Sequence, residues 1–498
     1  MFLKFLLNTN KSLIILLYCI LVSFIFLSIC SKSSLFYPFN DWVDVNAIFT
    51  VGKGMFHGQV PYRDLVDTKG PLLFFIFGIS YFISNTSFLG LFLIELISFS
   101  AFLFVFHFVL RLYFNRNYIF YIAPIIASII LSSNSFSCGG SAEELVLPLF
   151  LVSTYIYLKF STNNFSNFPN KYFILNGFIA GNVFCIKYTM LGFWFGWILV
   201  VSIFLLLNKN YKKLFIAILF FISGILIAIL PWIIYFISQN SLYDFIYIYI
   251  IKNVFSYTKI SSFNIFYSIY LNYTCYSIDN FLIFICSFVG LVFYIYKFPS
   301  KYNFGIISCF LFLVIGIYIG GVNYIYYYLP VASFSVFGFI YLISIIENKR
   351  NFSCVFIKAL LPFNILFCIY ISYTLSPNTC DLFTPKNSLA QFKFKEIINQ
   401  TPNATLLNYN SLDRGLYTTT NIFPTTKFYH LPNFTEEEFP EILKEQKSII
   451  RSQQVDYVLV TNTLKNPEIF SGYELISCFH QNYRNAPTTY YLYKKVSP

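Results

Sequence analysis

The chain has 498 residues, of which 57% are hydrophobic and only 11% charged, with a net charge of +12. An ordinary soluble domain carries about a quarter charged residues, so this composition excludes a soluble globular protein and points to an integral membrane protein. Phe, Ile, Tyr, Asn and Lys are used heavily together, as in AT-rich genes, so neither the 22% aromatic content nor the Asn-x-Ser/Thr triplets carries a functional reading.

The chain opens with Lys4 and Lys11 ahead of an apolar run from Ser12 to Cys30, the pattern of a signal peptide or a first anchor. Because many more apolar runs follow, it is read as an uncleaved anchor. Runs long enough to cross about 30 Å of hydrocarbon, roughly 17 or more residues as helix, fall near 12–30, 87–110, 118–134, 143–159, 172–187, 189–207, 214–238, 279–296, 304–320, 324–345 and 354–374. That pattern predicts about eleven transmembrane helices. The segment Leu72 to Ile83 is apolar but gives only about 18 Å of helix, and counting it as a span would invert every later loop.

With it excluded, fourteen lysines and arginines of the membrane part fall on the side of the N-terminus and seven on the other, a positive-inside distribution. The N-terminus is therefore expected in the cytoplasm. Of the acidic residues before Cys380, only Glu347 falls inside and only Glu95 within a span; Asp41, Asp44, Asp64, Asp67, Glu143, Glu144, Asp244 and Asp279 all face outward. Chemistry is expected on the outer face.

The first outer loop, 31–86, is the richest in ionisable groups. Asp44 is followed by Val45, Ile48, Phe49, Met55 and Phe56 at helical spacing, which suits a short helix on the membrane surface. Two compatible roles stand for Asp44: a helix cap, and a general base whose basicity is raised by apolar surroundings. Asp41 could cap an earlier turn. Next come Pro61-Tyr-Arg63-Asp64 and Asp67-Thr-Lys69-Gly70-Pro71. Their charges make either solvated surface pairs or, for Arg63 and Lys69, cations suited to a lipid phosphate at the membrane interface.

The second outer loop, Ser137-Cys-Gly139-Gly140-Ser141-Ala-Glu143-Glu144, opens the fourth span. Carboxylates there complement the helix dipole, or hold an acceptor hydroxyl, a sugar or a metal ion. Lys187 interrupts an apolar stretch beside hydrocarbon, where a cation either snorkels to the interface or serves function. Glu95 and His107 lie within the second span and are read as packing contacts of the bundle. The loop from Gln239 to Ile278 is long and aromatic, and is read as lying on the membrane over the same cavity. Gly320 to Pro330 turns into the tenth span, and its tyrosines, Tyr326 among them, form an interfacial belt or line a groove for an isoprenoid chain or a sugar.

After residue 375 the composition shifts. An odd number of spans places 376–498 outside the membrane, with turn signals at Ser376-Pro-Asn378, Thr401-Pro-Asn403 and Asn466-Pro467. Ala404 to Leu407, Tyr457 to Val460 and Tyr490 to Tyr493 read as strands and Glu436 to Ser452 as a helix, which makes a small α/β domain. It contains no Gly-rich nucleotide-binding loop, and no nucleic-acid partner is expected. The eleven cysteines lack CxxC or His/Cys ligand spacing, so neither a zinc site nor a disulfide framework is indicated, although Cys380 and Cys478 would share a compartment and could pair. A need for a divalent metal is left open.

These residues together resemble the GT-C superfamily of polytopic membrane glycosyltransferases, in particular bacterial members akin to glycosyltransferase family 39 and the aminoarabinose transferases. The resemblance rests on Asp44 with Gly52-Lys-Gly54-Met and His57-Gly-Gln-Val-Pro-Tyr-Arg-Asp, on Asp67-Thr-Lys-Gly-Pro-Leu, on Gly139-Gly-Ser-Ala-Glu-Glu144 and on Tyr326-Tyr-Tyr-Leu-Pro330, and covers roughly residues 1–375. It departs where many relatives have Asp-His-Lys-Gly-Pro, where they have a His in place of Tyr326, and where Val45 follows Asp44 instead of a second carboxylate.

The resemblance implies a multi-pass protein of a bacterial cytoplasmic membrane, with 45–56 and 71–84 as two juxtamembrane helices. It also implies a sugar transferred, with inversion, from a polyprenyl-phosphate donor to a hydroxyl of an extracytoplasmic glycan, lipid or protein. Asp44 matches the family's catalytic base; Lys187, Arg63 and Lys69 are the candidates for the donor phosphate, and Glu143, Glu144, Asp67 and Tyr326 for acceptor or sugar. Two other classes compete: a lipid-linked glycan flippase, and a non-catalytic membrane protein that binds glycan through 376–498. No internal repeat of the kind common in transporters is visible.

Overall fold

A computed structural model describes residues 10–161, 168–256, 265–321, 324–348, 354–433, 438–462, 467–483 and 486–496. Lys4, Glu436 and Asn466, named in the sequence reading, lie outside them, as do Lys259, Lys349 and Arg350 of its charge count, Asn323 of the Gly320–Pro330 turn and the side chain of Lys358. The chain divides into two compact units. The first comprises Met1–Ser31, Phe92–Pro231 and Ile260–Cys380; the second comprises Lys32–Leu91, Trp232–Lys259 and Asp381–Pro498.

The first unit is helical. Among the described residues, six helices of the chain are long and apolar enough to cross a bilayer: Lys11–Cys30, Leu89–Arg111, Ala142–Ser161, Tyr188–Leu207, Tyr211–Ser238 and Ile325–Asn348. A seventh crossing results if Ile265–Asp279 and Phe281–Lys297, which meet at 110°, form one broken span. The protein is thus a multi-span membrane protein. Ile119–Leu131, Asn303–Tyr318 and Leu361–Leu375 are shorter apolar helices, and the run expected at 172–187 is the helix Asn170–Phe184.

Small residues let these helices approach closely, the usual device where lipid removes the hydrophobic drive for association. A side chain at Gly177 would strike the Phe221 carbonyl, and one at Gly192 the Phe312 carbonyl. Tyr326, Tyr327 and Tyr328 do not form a lipid-facing belt. They are buried within this unit, where Tyr328 Oη lies 3.0 Å from Ser277 Oγ.

The second unit gathers the first outer loop, the segment after Pro231 and the C-terminal region. Its sheet has the order β1-β2-β4-β3, with β1 (Leu406–Asn408) parallel to β2 (Tyr457–Thr461), and β4 (Ala486–Lys495) antiparallel to both β2 and β3 (Tyr473–Tyr483). The three expected strands are present, and the helix expected over 436–452 is Pro440–Arg451. β3 escaped the sequence reading because its exposed positions carry Glu474, His480 and Asn482, which weaken the apolar signal of a strand. Leu407, Ile450, Val458 and Phe470 lie in the core beneath the sheet.

Two short helices of the first outer loop belong to this unit. Val43–Met55 crosses Pro71–Ile83 at Gly52 and Gly78, where a Cβ on Gly52 would come 2.5 Å from the Phe74 carbonyl oxygen and 2.7 Å from the Gly78 nitrogen. The sequence suggested a helix over 45–56 lying along the membrane surface by one apolar face. Instead every residue from Val43 to Gly54 is buried, because the polar face turns onto the C-terminal region.

Candidate functional site

That polar face is built at the helical spacing i, i+4, i+7. Thr418 Oγ1 donates to Asn46 Oδ1 at 3.1 Å, Thr50 Oγ1 donates to Asp413 Oδ2 at 2.7 Å, and Lys53 Nζ donates to the carbonyls of Tyr417 and Ile422 at 2.6 and 2.7 Å. Tyr429 Oη adds a bond to the Ala47 carbonyl at 3.2 Å. Lys53 is fully buried, and burial pulls its ammonium down from 10.5 to about 7, against the attraction of Asp413. Burial likewise raises the Asp413 carboxyl, opposed by its bonds to Thr50 and Gly415.

Asp44 stands in the first turn of this helix, 8% exposed. The cap position belongs to Trp42, whose side chain makes no capping bond. Asp44 Oδ2 is 3.7 Å from Lys69 Nζ, an ion pair with both side chains largely buried. Asp41, read as a possible cap, pairs with Lys32 at 2.9 Å, and Lys32 also meets Asp381.

Local chemistry explains the placement of Lys69. Asp67 Oδ1 accepts from the Lys69 N–H at 3.0 Å, a side-chain turn typical of Asp. Gly70 then caps and Pro71 begins the helix Pro71–Ile83, where the missing proline donor costs nothing. Tyr62 Oη donates to the Lys69 carbonyl at 2.6 Å, and Asn253 Nδ2 donates to the Thr68 carbonyl at 2.9 Å.

Arg63 is engaged nearby in sequence. Its guanidinium grips Asp64 with two bonds of 2.8 Å and donates to the Gln239 carbonyl at 2.7 Å. Those bonds hold the Asp64 carboxyl below the usual carboxylate range. The segment from Gln239 carries a turn at Leu242–Phe245 and a π-helix at Ile246–Ser256.

The remaining candidates belong to the first unit. Glu143 and Glu144 sit in the first turn of the helix from Ala142. Ser141 Oγ accepts from the Glu144 N–H at 3.0 Å while Glu144 Oε2 accepts from the Gly140 N–H at 2.9 Å, a close variant of the reciprocal capping box. Glu143 forms a buried ion pair with Lys187, so Lys187 does not snorkel. The Lys187 ammonium lies 3.4 Å from the ring centre of Tyr327 and 5.2 Å from that of Tyr326, a cation–π arrangement. Glu95 accepts from Ser31 Oγ at 2.9 Å, and His107 is buried with Nδ1 making no hydrogen bond among the described residues.

His430, Asp413 and the role of Lys53 were not legible in the sequence. His430 is one of only four histidines in the chain, and that rarity was the one available signal. It is fully buried, with Nε2 3.8 Å from Asp67 Oδ2. Among the described residues no group of three or more His, Cys, Asp or Glu side chains is placed to hold a metal ion. Cys380 and Cys478 are both exposed thiols.

No family model matches this chain, and no curated protein matches it. Solved structures do. ArnT from Cupriavidus metallidurans bound to undecaprenyl phosphate superposes with a TM-score of 0.63 at 11% identity, covering 97% of this chain and 98% of ArnT. The apo state of the same protein gives 0.61 at 11% identity and the same coverage. At that identity the likeness is one of fold, and over nearly its whole length the chain has an ArnT-like fold.

Proposed function

We propose that the chain is a membrane glycosyltransferase that moves a sugar from a polyprenyl-phosphate donor to a hydroxyl on an extracytoplasmic glycan, lipid or protein. The buried Asp44–Lys69 pair carries this reading: it puts a carboxylate and a cation side by side on a loop whose sequence resembles the catalytic loop of that superfamily. The ArnT-like fold, with undecaprenyl phosphate bound in one ArnT structure, supports it further.

In the reaction, Asp44 takes the proton of the attacking hydroxyl. The acceptor oxygen bonds to the anomeric carbon as the bond from that carbon to the phosphate oxygen breaks, with inversion, and the electron pair leaves on the polyprenyl phosphate. A cation that meets this developing charge lowers the barrier most. Lys69 is suited to pass from Asp44 to the phosphate; Arg63, which must share its donors with Asp64, and Lys187 are the other cations assigned to the donor. Glu143, Glu144, Asp67 and Tyr326 are assigned to acceptor or sugar contacts.

The same proposal takes 1–375 as a transmembrane domain of eleven crossings and 376–498 as an extracytoplasmic domain. The N-terminus is in the cytoplasm, and the membrane is the bacterial inner one.

The test is turnover of a polyprenyl-phosphate sugar by purified protein in lipid vesicles. A transferase consumes donor, a flippase moves it intact and a binding protein does neither. Asp44→Asn is expected to abolish transfer while the protein remains folded and membrane-inserted; full turnover in that variant removes Asp44 as the base.

A further inference from the structure

Val66 is held at both of its peptide groups by one stretch of the C-terminal region. Its N–H donates to the Lys427 carbonyl at 3.2 Å, and its carbonyl lies 3.2 Å from His430 Nε2. A carbonyl can only accept, so Nε2 carries the proton of the ring. Nδ1 is then the bare nitrogen, buried and without a hydrogen-bond partner among the described residues. The ring stacks on Tyr429 at 4.2 Å, and the Tyr429 carbonyl accepts from the Asn408 N–H at 3.0 Å, which anchors the segment beside β1.

From this ring a continuous series of contacts leads to the proposed base. His430 Nε2 faces Asp67 Oδ2 at 3.8 Å; Asp67 Oδ1 accepts from the Lys69 N–H at 3.0 Å; Lys69 Nζ faces Asp44 Oδ2 at 3.7 Å. We infer that His430 is a positioning residue: by fixing the Val66–Asp67 corner it sets where the Lys69 ammonium stands, and so the affinity for the donor's phosphate. The inference rests on the glycosyltransferase reading above.

The charged groups that act on the ring are Asp67 and Asp413, which favour its protonation, and Lys69, which opposes it. Burial outweighs the two carboxylates and keeps the ring below its ordinary value. A second proton would sit on Nδ1, where no acceptor is in place, so the ring serves as a neutral donor. His430→Gln can keep an N–H toward Val66; His430→Phe keeps the stacking on Tyr429 and loses the donor.

The experiment measures undecaprenyl phosphate binding to the purified full-length protein in nanodiscs. Lys69→Ala should weaken binding about tenfold or more, the loss of one charge-assisted contact. His430→Phe should weaken it about fivefold to tenfold through the misplaced ammonium, with His430→Gln within about threefold of wild type. In a Lys69→Ala background, His430→Phe should cost nothing further, which a general loosening of the fold would not reproduce. If His430→Phe does not yield a monodisperse protein, His430→Asn, too short to reach Val66, replaces it.

Wild-type protein that does not bind the lipid phosphate overturns the functional reading and this inference with it. Binding by wild type that is sensitive to Lys69→Ala but indifferent to His430→Phe overturns the inference alone. So does a loss that adds in full to that of Lys69→Ala.

Discussion

Lys53 anchors the helix that carries Asp44, and its burial has a measurable consequence in alkali. The unfolded lysine titrates near 10.5 and the folded one at about 7. Between these values the unfolded chain holds a proton that the folded protein lacks, so stability rises with pH there. At roughly 1.4 kcal/mol for each pH unit, the full window is worth on the order of 5 kcal/mol, and the interval from pH 7 to pH 9 on the order of 2 kcal/mol. Below pH 7 both states are protonated and the contribution no longer changes.

The perturbation is Lys53→Met, which fills similar volume and cannot titrate. It also leaves the Tyr417 and Ile422 carbonyls without their donor, a constant cost of about 1–3 kcal/mol. The assay is thermal unfolding followed by tryptophan fluorescence in detergent at pH 7 and pH 9. Wild type should gain stability over the variant between the two, since the variant lacks the lysine's alkaline gain while all other titrations cancel in the difference. Parallel curves, with the gap between the proteins unchanged, refute the reasoning.

Lys187→Ala strands the Glu143 carboxylate in a buried site and should cost about 3–5 kcal/mol; Lys187→Met with Glu143→Gln should recover most of it, read from melting temperatures. Gly52→Ala drives a methyl against the Phe74 carbonyl and Gly78 nitrogen and should cost about 1–3 kcal/mol, with an unchanged melting temperature as the contrary result. Thr50→Val removes the hydroxyl bonded to Asp413 and should cost about 1–3 kcal/mol, a loss that Asp413→Asn in the same protein would partly relieve by removing the buried charge. Arg63→Ala should raise the Asp64 carboxyl toward its ordinary range, so that acid lowers stability less steeply below pH 4 than in wild type. Identical acid melting curves for the two proteins would count against that pair.

The loop chemistry is local, although in the sequence these charges read as surface pairs, phosphate contacts or partners of a helix dipole. Asp67-Thr-Lys69-Gly70-Pro71 encodes a side-chain turn, a cap and a proline first turn within five residues, and the structure realises each. The capping pattern from Ser141 to Glu144 is equally local. Helix lengths were legible only in part. The apolar run over 118–134 stops as a helix at Leu131, because Ser133 caps a new turn by accepting from the Phe136 N–H, and hydropathy does not register a cap.

By itself the sequence determined the membrane character and the shortness of Pro71–Ile83, which follow from composition and from the length of an apolar run. Only the tertiary structure decided that Lys53 is buried on two carbonyls, that Tyr326 and Tyr327 close over Lys187, and that His430 faces Asp67. Those partners lie more than a hundred residues apart along the chain. A buried lysine and a solvated one are spelled alike; what separates them is the dielectric and the partners that distant segments bring, and no local pattern contains either.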